Sequence, residues 1–164
     1  MRPKAIKPGP GQESVWDYPR PPRFEPFVGT VKVILGGRVV AETTNAVRVL
    51  ETSHPPVFYI PRTDIVEGVL ERAPGTSYCE WKGAASYWHA LSGDVRADKA
   101  AWSYPEPTTI AGAIADCVGF YAGRVDACFV NDEQVAPQPG GFYGGWVTAN
   151  VVGPFKGEPG SWGW

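Results

Sequence analysis

Apolar and polar residues alternate over short segments through most of the chain, as they do in strands that bury one face. The clearest case is a pair of such segments, residues 27–35 and 38–43. Gly36-Gly37 stands between them and supplies the positive φ that a tight hairpin turn requires. Further segments of this kind occupy residues 46–51, 57–60, 100–104 and 119–130. The pattern predicts a mainly β fold with antiparallel strands.

One segment departs from the alternation. Apolar residues at positions 65, 66, 69 and 70 form the stripe of a short helix, and Thr63 or Asp64 can cap its start. Ala73-Pro74-Gly75 then ends the element. We therefore expect one short helix in an otherwise β domain.

The length of 164 residues fits one domain, which buries roughly 70% of the surface that the unfolded chain exposes. Residues 1–13 are rich in proline, glycine and charge, and we expect a flexible leader there. Residues 14–164 are expected to form a single compact β domain. Its last part, residues 137–164, combines glycine with many aromatic rings. We expect this tail to wrap on the body, because so many rings are costly to leave in water.

Composition and charge limit the classes of function that the chain can have. The net charge is −2 and the pI about 5.7, so no basic field is available to hold nucleic acid. No apolar run reaches roughly 18 residues and no apolar signal-peptide core is present, so we expect a cytoplasmic protein without a membrane partner. Three cysteines without a Cys-x-x-Cys pair, and two histidines, predict neither a metal nor a cofactor.

Residues 76–91 place a thiol, an acid, a base and several rings close together. In an extended strand, Glu80 and Lys82 point to one face, and Cys79 and Trp81 to the other. This predicts a buried, slowly reacting Cys79 beside Trp81. The charged pair is either part of a site or a solvated pair on the surface.

A second cluster lies at the end of a predicted strand, where Glu51, Ser53 and His54 precede Pro55-Pro56. Histidine is suited to proton transfer near neutral pH, so His54 is the candidate acid or base, oriented by Glu51. Lys82 would stabilise negative charge on a substrate. The alternative is that Ser53 and His54 only cap a turn. The catalytic interpretation predicts that His54 and Lys82 face one cleft.

Aromatic residues are the third group of candidates. Most are expected to lie in the core, but some rings with a few polar groups among them are typical of a small-molecule pocket. The predicted ligand-binding residues are Ser53, Tyr59, Glu80, Trp81, Trp102 and Tyr104.

Several segments match one family in order. They are Trp16-Asp17-Tyr18-Pro19-Arg20-Pro21-Pro22, Glu51-Thr52-Ser53-His54-Pro55-Pro56, Tyr59-Ile60-Pro61, Cys79-Glu80-Trp81-Lys82-Gly83 and Trp102-Ser103-Tyr104-Pro105. The chain resembles the uncharacterised proteins of domain-of-unknown-function family 427. The resemblance implies an antiparallel β architecture similar to the β-tent proteins, without their zinc-binding cysteine pairs, and implies little about function.

Some members of that family are labelled nucleotidyltransferase-like. Nucleotidyl transfer needs carboxylates spaced to hold magnesium on a triphosphate, usually beside a Gly-Ser turn. Asp116 and Asp126 have no phosphate-cradling loop attached, so we set that activity aside.

Two functions of different classes remain. The first is binding of a small polar metabolite in an aromatic cleft, with acid/base catalysis left open. The second is a protein-interaction module that uses the aromatic and proline-rich surface. The sequence does not identify the ligand, and it leaves monomer and homodimer both open.

Overall fold

A computed structural model describes residues 2–164 and confirms the mainly β prediction. The longer strands are β2 (Arg23–Pro26), β3 (Val31–Leu35), β4 (Arg38–Thr43), β5 (Val47–Leu50), β6 (Val57–Pro61), β7 (Leu70–Cys79), β8 (Gly83–Ser92), β9 (Val95–Ser103), β10 (Cys117–Phe120) and β11 (Ala127–Val130). Two-residue strands are β1 (Glu13–Ser14), β12 (Glu133–Gln134), β13 (Ala136–Pro137), β14 (Trp146–Val147) and β15 (Val151–Val152). Helical structure among the described residues is limited to 3-10 segments at Val15–Asp17, Arg62–Asp64 and Thr109–Ile114.

Two antiparallel sheets form the body. The larger has the order β2-β5-β6-β10-β9-β8-β7, and the smaller has the order β12-β11-β3-β4. The predicted hairpin is confirmed as β3–β4, with Gly36 and Gly37 at φ 60° and 72°. Apolar side chains from both sheets meet in one core, including Val33 of β3 and Ile60 of β6.

Alternation along β6 divides its side chains between two environments. Phe58 and Ile60 belong to the core shared by the two sheets, whereas Tyr59 belongs to a second cluster with Trp102 and Tyr104. Successive residues of a strand point to opposite faces, so this second cluster lies on the other face of the larger sheet. That face carries the candidate site.

The two ends of the chain pack together. Strands β1 and β15 pair in parallel, and Trp16 Nε1 donates to the main-chain oxygen of Pro154 at 3.0 Å. The rings of Trp16 and Trp164 meet edge to face at 5.6 Å. In the N-terminal segment, the main-chain N–H of Ile6 donates to the oxygen of Gly153 at 2.9 Å.

The predicted short helix is reduced to the 3-10 turn Arg62–Asp64, and the apolar stripe beyond it is not helical. Val66 N–H donates to Val40, and the oxygen of Val69 accepts from Leu91. These neighbouring segments take the main-chain groups that a helix would use. Ala73-Pro74-Gly75, expected to end an element, lies within β7 at a register shift. Within residues 2–164, no helix has both the length and the apolar character to cross a membrane.

Candidate functional site

A cavity of about 350 Å³ opens on the face of the larger sheet that carries Tyr59 and Trp102. The structure places all three predicted catalytic residues on its wall: Glu51, His54 and Lys82. Of the predicted ligand-binding residues, it also places Tyr59, Glu80, Trp81, Trp102 and Tyr104 there. Strand pairing thus brings His54 and Lys82 to one concavity although they are far apart in sequence.

The cavity floor is built from rings. Trp102 Nε1 donates to the hydroxyl of Tyr59 at 3.1 Å, and the Trp102 ring lies 4.6 Å from that of Tyr121. Burial raises the pKa of Tyr59 well above its ordinary value and also raises the pKa of Tyr104. Both hydroxyls therefore stay protonated at neutral pH and are available as hydrogen-bond donors.

A hairpin turn, not an extended strand, carries the second cluster. Residues 80–82 connect β7 to β8, and Thr108 N–H fixes the turn by donating to the oxygen of Lys82 at 3.1 Å. The predicted alternation of faces at Glu80 and Trp81 is therefore wrong, because the chain reverses there. Glu80 is exposed on the rim, while Trp81 and Lys82 are half-buried.

Cys79 is half-buried and lines the cavity, so the prediction of a core thiol is wrong. The residue is the last of β7, and its side chain meets the cavity rather than the space between the sheets. Lys82 Nζ lies 3.8 Å from its Sγ.

The buried amide of Gln138 determines which nitrogen of His54 carries the hydrogen. Its Nε2 lies 3.0 Å from His54 Nδ1 and 2.8 Å from the main-chain oxygen of Lys156, and its Oε1 accepts from Gly145 N–H at 3.0 Å. Turning the amide over would set oxygen against oxygen at Lys156 and donor against donor at Gly145. The amide therefore donates to Nδ1, and neutral His54 carries its hydrogen on Nε2.

His54 is neutral at physiological pH. Burial lowers its pKa to about 3, and the positive charges of Lys156, Lys82 and Arg20 act in the same direction. An edge-to-face contact with Tyr143, at 4.8 Å between ring centroids, completes the enclosure. A protonated ring would also turn Nδ1–H against the amide of Gln138.

Glu51 lies between two partners on the cavity wall. Its Oε2 is 3.4 Å from Arg20 Nε and 3.7 Å from His54 Nε2. The second distance is too long for a direct hydrogen bond. Arg20 is anchored in turn by a 2.7 Å hydrogen bond to the main-chain oxygen of Thr52. Glu51 is thus charge-compensated by Arg20.

Ser53 is the one predicted ligand-binding residue that the structure does not place on the cavity wall. It is fully buried at φ 74°, and its N–H donates to the oxygen of Val15 while its oxygen accepts from Lys156 N–H. Its Oγ has no hydrogen-bond partner among the described residues. Ser53 joins the N-terminal and C-terminal segments through its main chain.

Sequence reasoning missed the contribution of the C-terminal tail. Gln138, Phe142, Tyr143 and Lys156 all line the cavity. They lie in irregular backbone, where no periodic pattern reports which side chains point inward. A single glutamine and a single lysine among glycine, proline and aromatic residues were the only local signals.

Metal ligation is not apparent at this cavity or elsewhere in residues 2–164. No group of three or more His, Cys, Asp or Glu side chains in that range is arranged to hold a metal ion. The wall offers hydrogen-bond donors, ammonium groups and aromatic surface instead.

The fold and the site together define the class: a small β protein of two antiparallel sheets, with an aromatic cavity on the outer face of the larger sheet. A family model described as "Domain of unknown function (DUF427)" matches residues 23–131, and the chain belongs to this family. The resemblance stated from the sequence motifs is confirmed. No curated protein matches the chain. Glu51, His54 and Lys82 lie within the matched region, whereas Gln138 and Lys156 lie beyond it.

Proposed function

We propose that the protein binds a small polar metabolite in this cavity. The observation that carries the proposal is a concavity of about 350 Å³ with an aromatic floor, onto which the half-buried ammonium of Lys82 opens. Among the described residues, no carboxylate lies within 4.0 Å of that ammonium. Apolar walls with a few polar groups are typical of ligand sites of this size.

Exposed rings at the mouth agree with a ligand site. Tyr78 and Phe142 are 77% and 65% exposed, and both line the cavity. Rings at a pocket entrance add apolar surface that a bound ligand can cover. The alternative, a protein-interaction module, stays a prediction that no particular contact favours.

The role we propose for His54 is donation of a hydrogen bond to the ligand. Nδ1 is occupied by Gln138, and Nε2 carries the hydrogen, so the ring offers one donor and no free acceptor. A general base needs a free acceptor nitrogen near the proton that it removes. The acid/base role of His54, with Glu51 and Lys82 as its partners, therefore stays an untested prediction, and the proposal is confined to binding.

An unbiased metabolite screen by thermal shift tests the proposal. A ligand at 100 times its dissociation constant adds about 2.7 kcal/mol to the free energy of unfolding. The screen compares wild type with Val57→Phe, which enlarges a half-buried side chain on the cavity wall, and with Val28→Phe at a 94% exposed position outside it. We expect hits that stabilise wild type and Val28→Phe but not Val57→Phe. Hits that stabilise all three equally, or no hits, would contradict it.

A further inference from the structure

We propose that the ligand is a flat monocarboxylate, an aromatic or conjugated ring that bears one carboxylate group. This inference rests on the proposed function and specifies its ligand class. It follows from three features of the cavity: the ammonium groups on its wall, the direction of its hydrogen bonds, and the shape of its floor.

The first feature is an ammonium group without a carboxylate partner, that of Lys82. Lys82 and Lys156 both line the cavity and are both half-buried. Among residues 2–164, Lys82 Nζ has a hydrogen-bond contact only with Cys79 Sγ, whereas Lys156 Nζ already lies 3.1 Å from an oxygen of Trp164. Arg20, by contrast, is already paired with Glu51. A half-buried ammonium gains most from an anion, because such hydrogen bonds are stronger than neutral ones.

The second feature is that the polar groups of the wall are mainly donors. His54 presents Nε2–H, since its other nitrogen accepts from Gln138. The Tyr59 hydroxyl accepts from Trp102 Nε1 and so keeps its own hydrogen to donate. A carboxylate has only acceptor sites and matches such a wall. An amide or an amine would bring further donors against these groups.

The third feature is the ring floor. Tyr59, Trp102 and Tyr121 lie in contact, with centroids 5.9 Å and 4.6 Å apart along the series. Ring faces and edges at these distances form a continuous apolar surface that suits a flat partner. The body of the ligand would lie against this surface while its carboxylate meets Lys82.

The wall also argues for a single negative charge. Glu80 lines the same cavity without an ion-pair partner among residues 2–164, and its charge opposes a dianion more strongly than a monoanion. Phosphate sites commonly use main-chain N–H groups at a helix N-terminus. None of the 3-10 segments in residues 2–164 contributes a residue to this wall. A carboxylate therefore fits better than a phosphate.

The test is a titration of the full chain with phenylacetate, with its neutral isostere phenylacetamide and with inorganic phosphate, followed by two-dimensional NMR of main-chain and indole N–H groups. We expect phenylacetate to bind at the cavity at least about tenfold more tightly than the amide, since a hydrogen bond to a charged group is worth more than one tenfold step in affinity. Lys82→Gln should remove that preference. Lys7→Gln, at an exposed position outside the cavity, should keep it.

Three results would overturn the inference: equal or tighter binding of the amide, stronger perturbation of the same signals by phosphate, or a preference that survives Lys82→Gln. Absence of phenylacetate binding would overturn it too. These failures are distinct from failure of the proposed function. If the metabolite screen yields a different ligand that Val57→Phe excludes, the binding function stands and only the ligand class is wrong.

Discussion

Gln138 donates a hydrogen bond to Nδ1 of His54 at 3.0 Å, joining the C-terminal tail to the turn after β5 across 84 residues of sequence. The bond fixes the tautomer of a buried histidine and directs its remaining N–H away from the amide. The family-matched region ends at residue 131, so the orientation of a candidate site residue inside it is set by a residue outside it. The site depends on both parts of the chain.

The depressed pKa of His54 predicts a pH dependence of stability. Its pKa is lowered from 6.5 to about 3, so the unfolded chain takes up a proton before the folded protein does. The contribution of neutral, buried His54 to the free energy of unfolding is therefore complete above about pH 6.5 and is lost as the pH falls towards 3. When the pH is lowered from about 7 to about 5, the free energy of unfolding should decrease by about 2 kcal/mol because of His54.

Urea denaturation at the two pH values measures this loss. His54→Gln should show a smaller decrease in the free energy of unfolding than wild type. Val28→Phe, at an exposed position that carries no titratable group, should show the wild-type decrease. Equal pH dependence in wild type and His54→Gln would exclude the assignment.

Gln138→Leu should destabilise the protein by about 2 kcal/mol or more, because it leaves buried polar groups of His54, Gly145 and Lys156 without a partner. Gln138 is only 2% exposed, so water cannot easily replace the amide. The matched control is Gln134→Leu, at an exposed position of β12. Chemical denaturation in which both variants match wild type would show that the Gln138 network is not needed for the fold.

Cys79 should be the first of the three thiols to react. It is half-buried and faces the cavity, whereas Cys117 and Cys128 are buried and burial raises their pKa values to about 11 and about 12. Brief treatment of the native protein with iodoacetamide at neutral pH, followed by peptide mass spectrometry, identifies the modified residue. In the Cys79→Ser variant, the same brief treatment should leave Cys117 and Cys128 unmodified. Earlier modification of either buried thiol would refute the placement of Cys79.

Gly144→Ala should disturb the cavity floor. A Cβ atom at this position would overlap the ring of Trp102, which also lies close to Gly119 and to the ring of Tyr121. Overpacking of this kind costs about 1–3 kcal/mol. Gly112→Ala is the matched control, because its Cβ would meet nothing within 4 Å. Thermal unfolding and Trp fluorescence should change for Gly144→Ala alone; equal behaviour of the two variants would contradict the close contact.

Much of the fold could be predicted from patterns among residues that are close together in the sequence. Alternation and Gly36-Gly37 predicted the β3–β4 hairpin. Tyr59 and Trp102 were predicted as ligand-binding residues from their aromatic rings, and both line the cavity. Rules that act between neighbouring residues can be applied to a single sequence. The grouping of His54 with Lys82 was also predicted, from their positions at strand ends.

Other features depend on contacts distant in sequence. The stripe after Arg62–Asp64 resembles a helix until Val40 and Leu91 bind its main chain. Cys79 was assigned to the core because residues 79–82 were treated as an extended strand, whereas the chain already turns at residues 80–82. Gln138 lies in irregular backbone, where only the folded position of the tail shows that its amide reaches His54.

NMR mapping of the strongest hit from the metabolite screen tests ligand binding in the cavity most directly. The indole N–H of Trp102 lies on the cavity floor, whereas that of Trp146 is buried outside it and donates to the oxygen of Phe120 at 2.9 Å. Binding in the cavity should cause a saturable shift of the Trp102 signal and of the Gly144 main-chain N–H signal, while the Trp146 signal stays in place. A saturable ligand that shifts Trp146 and leaves Trp102 unchanged would contradict it.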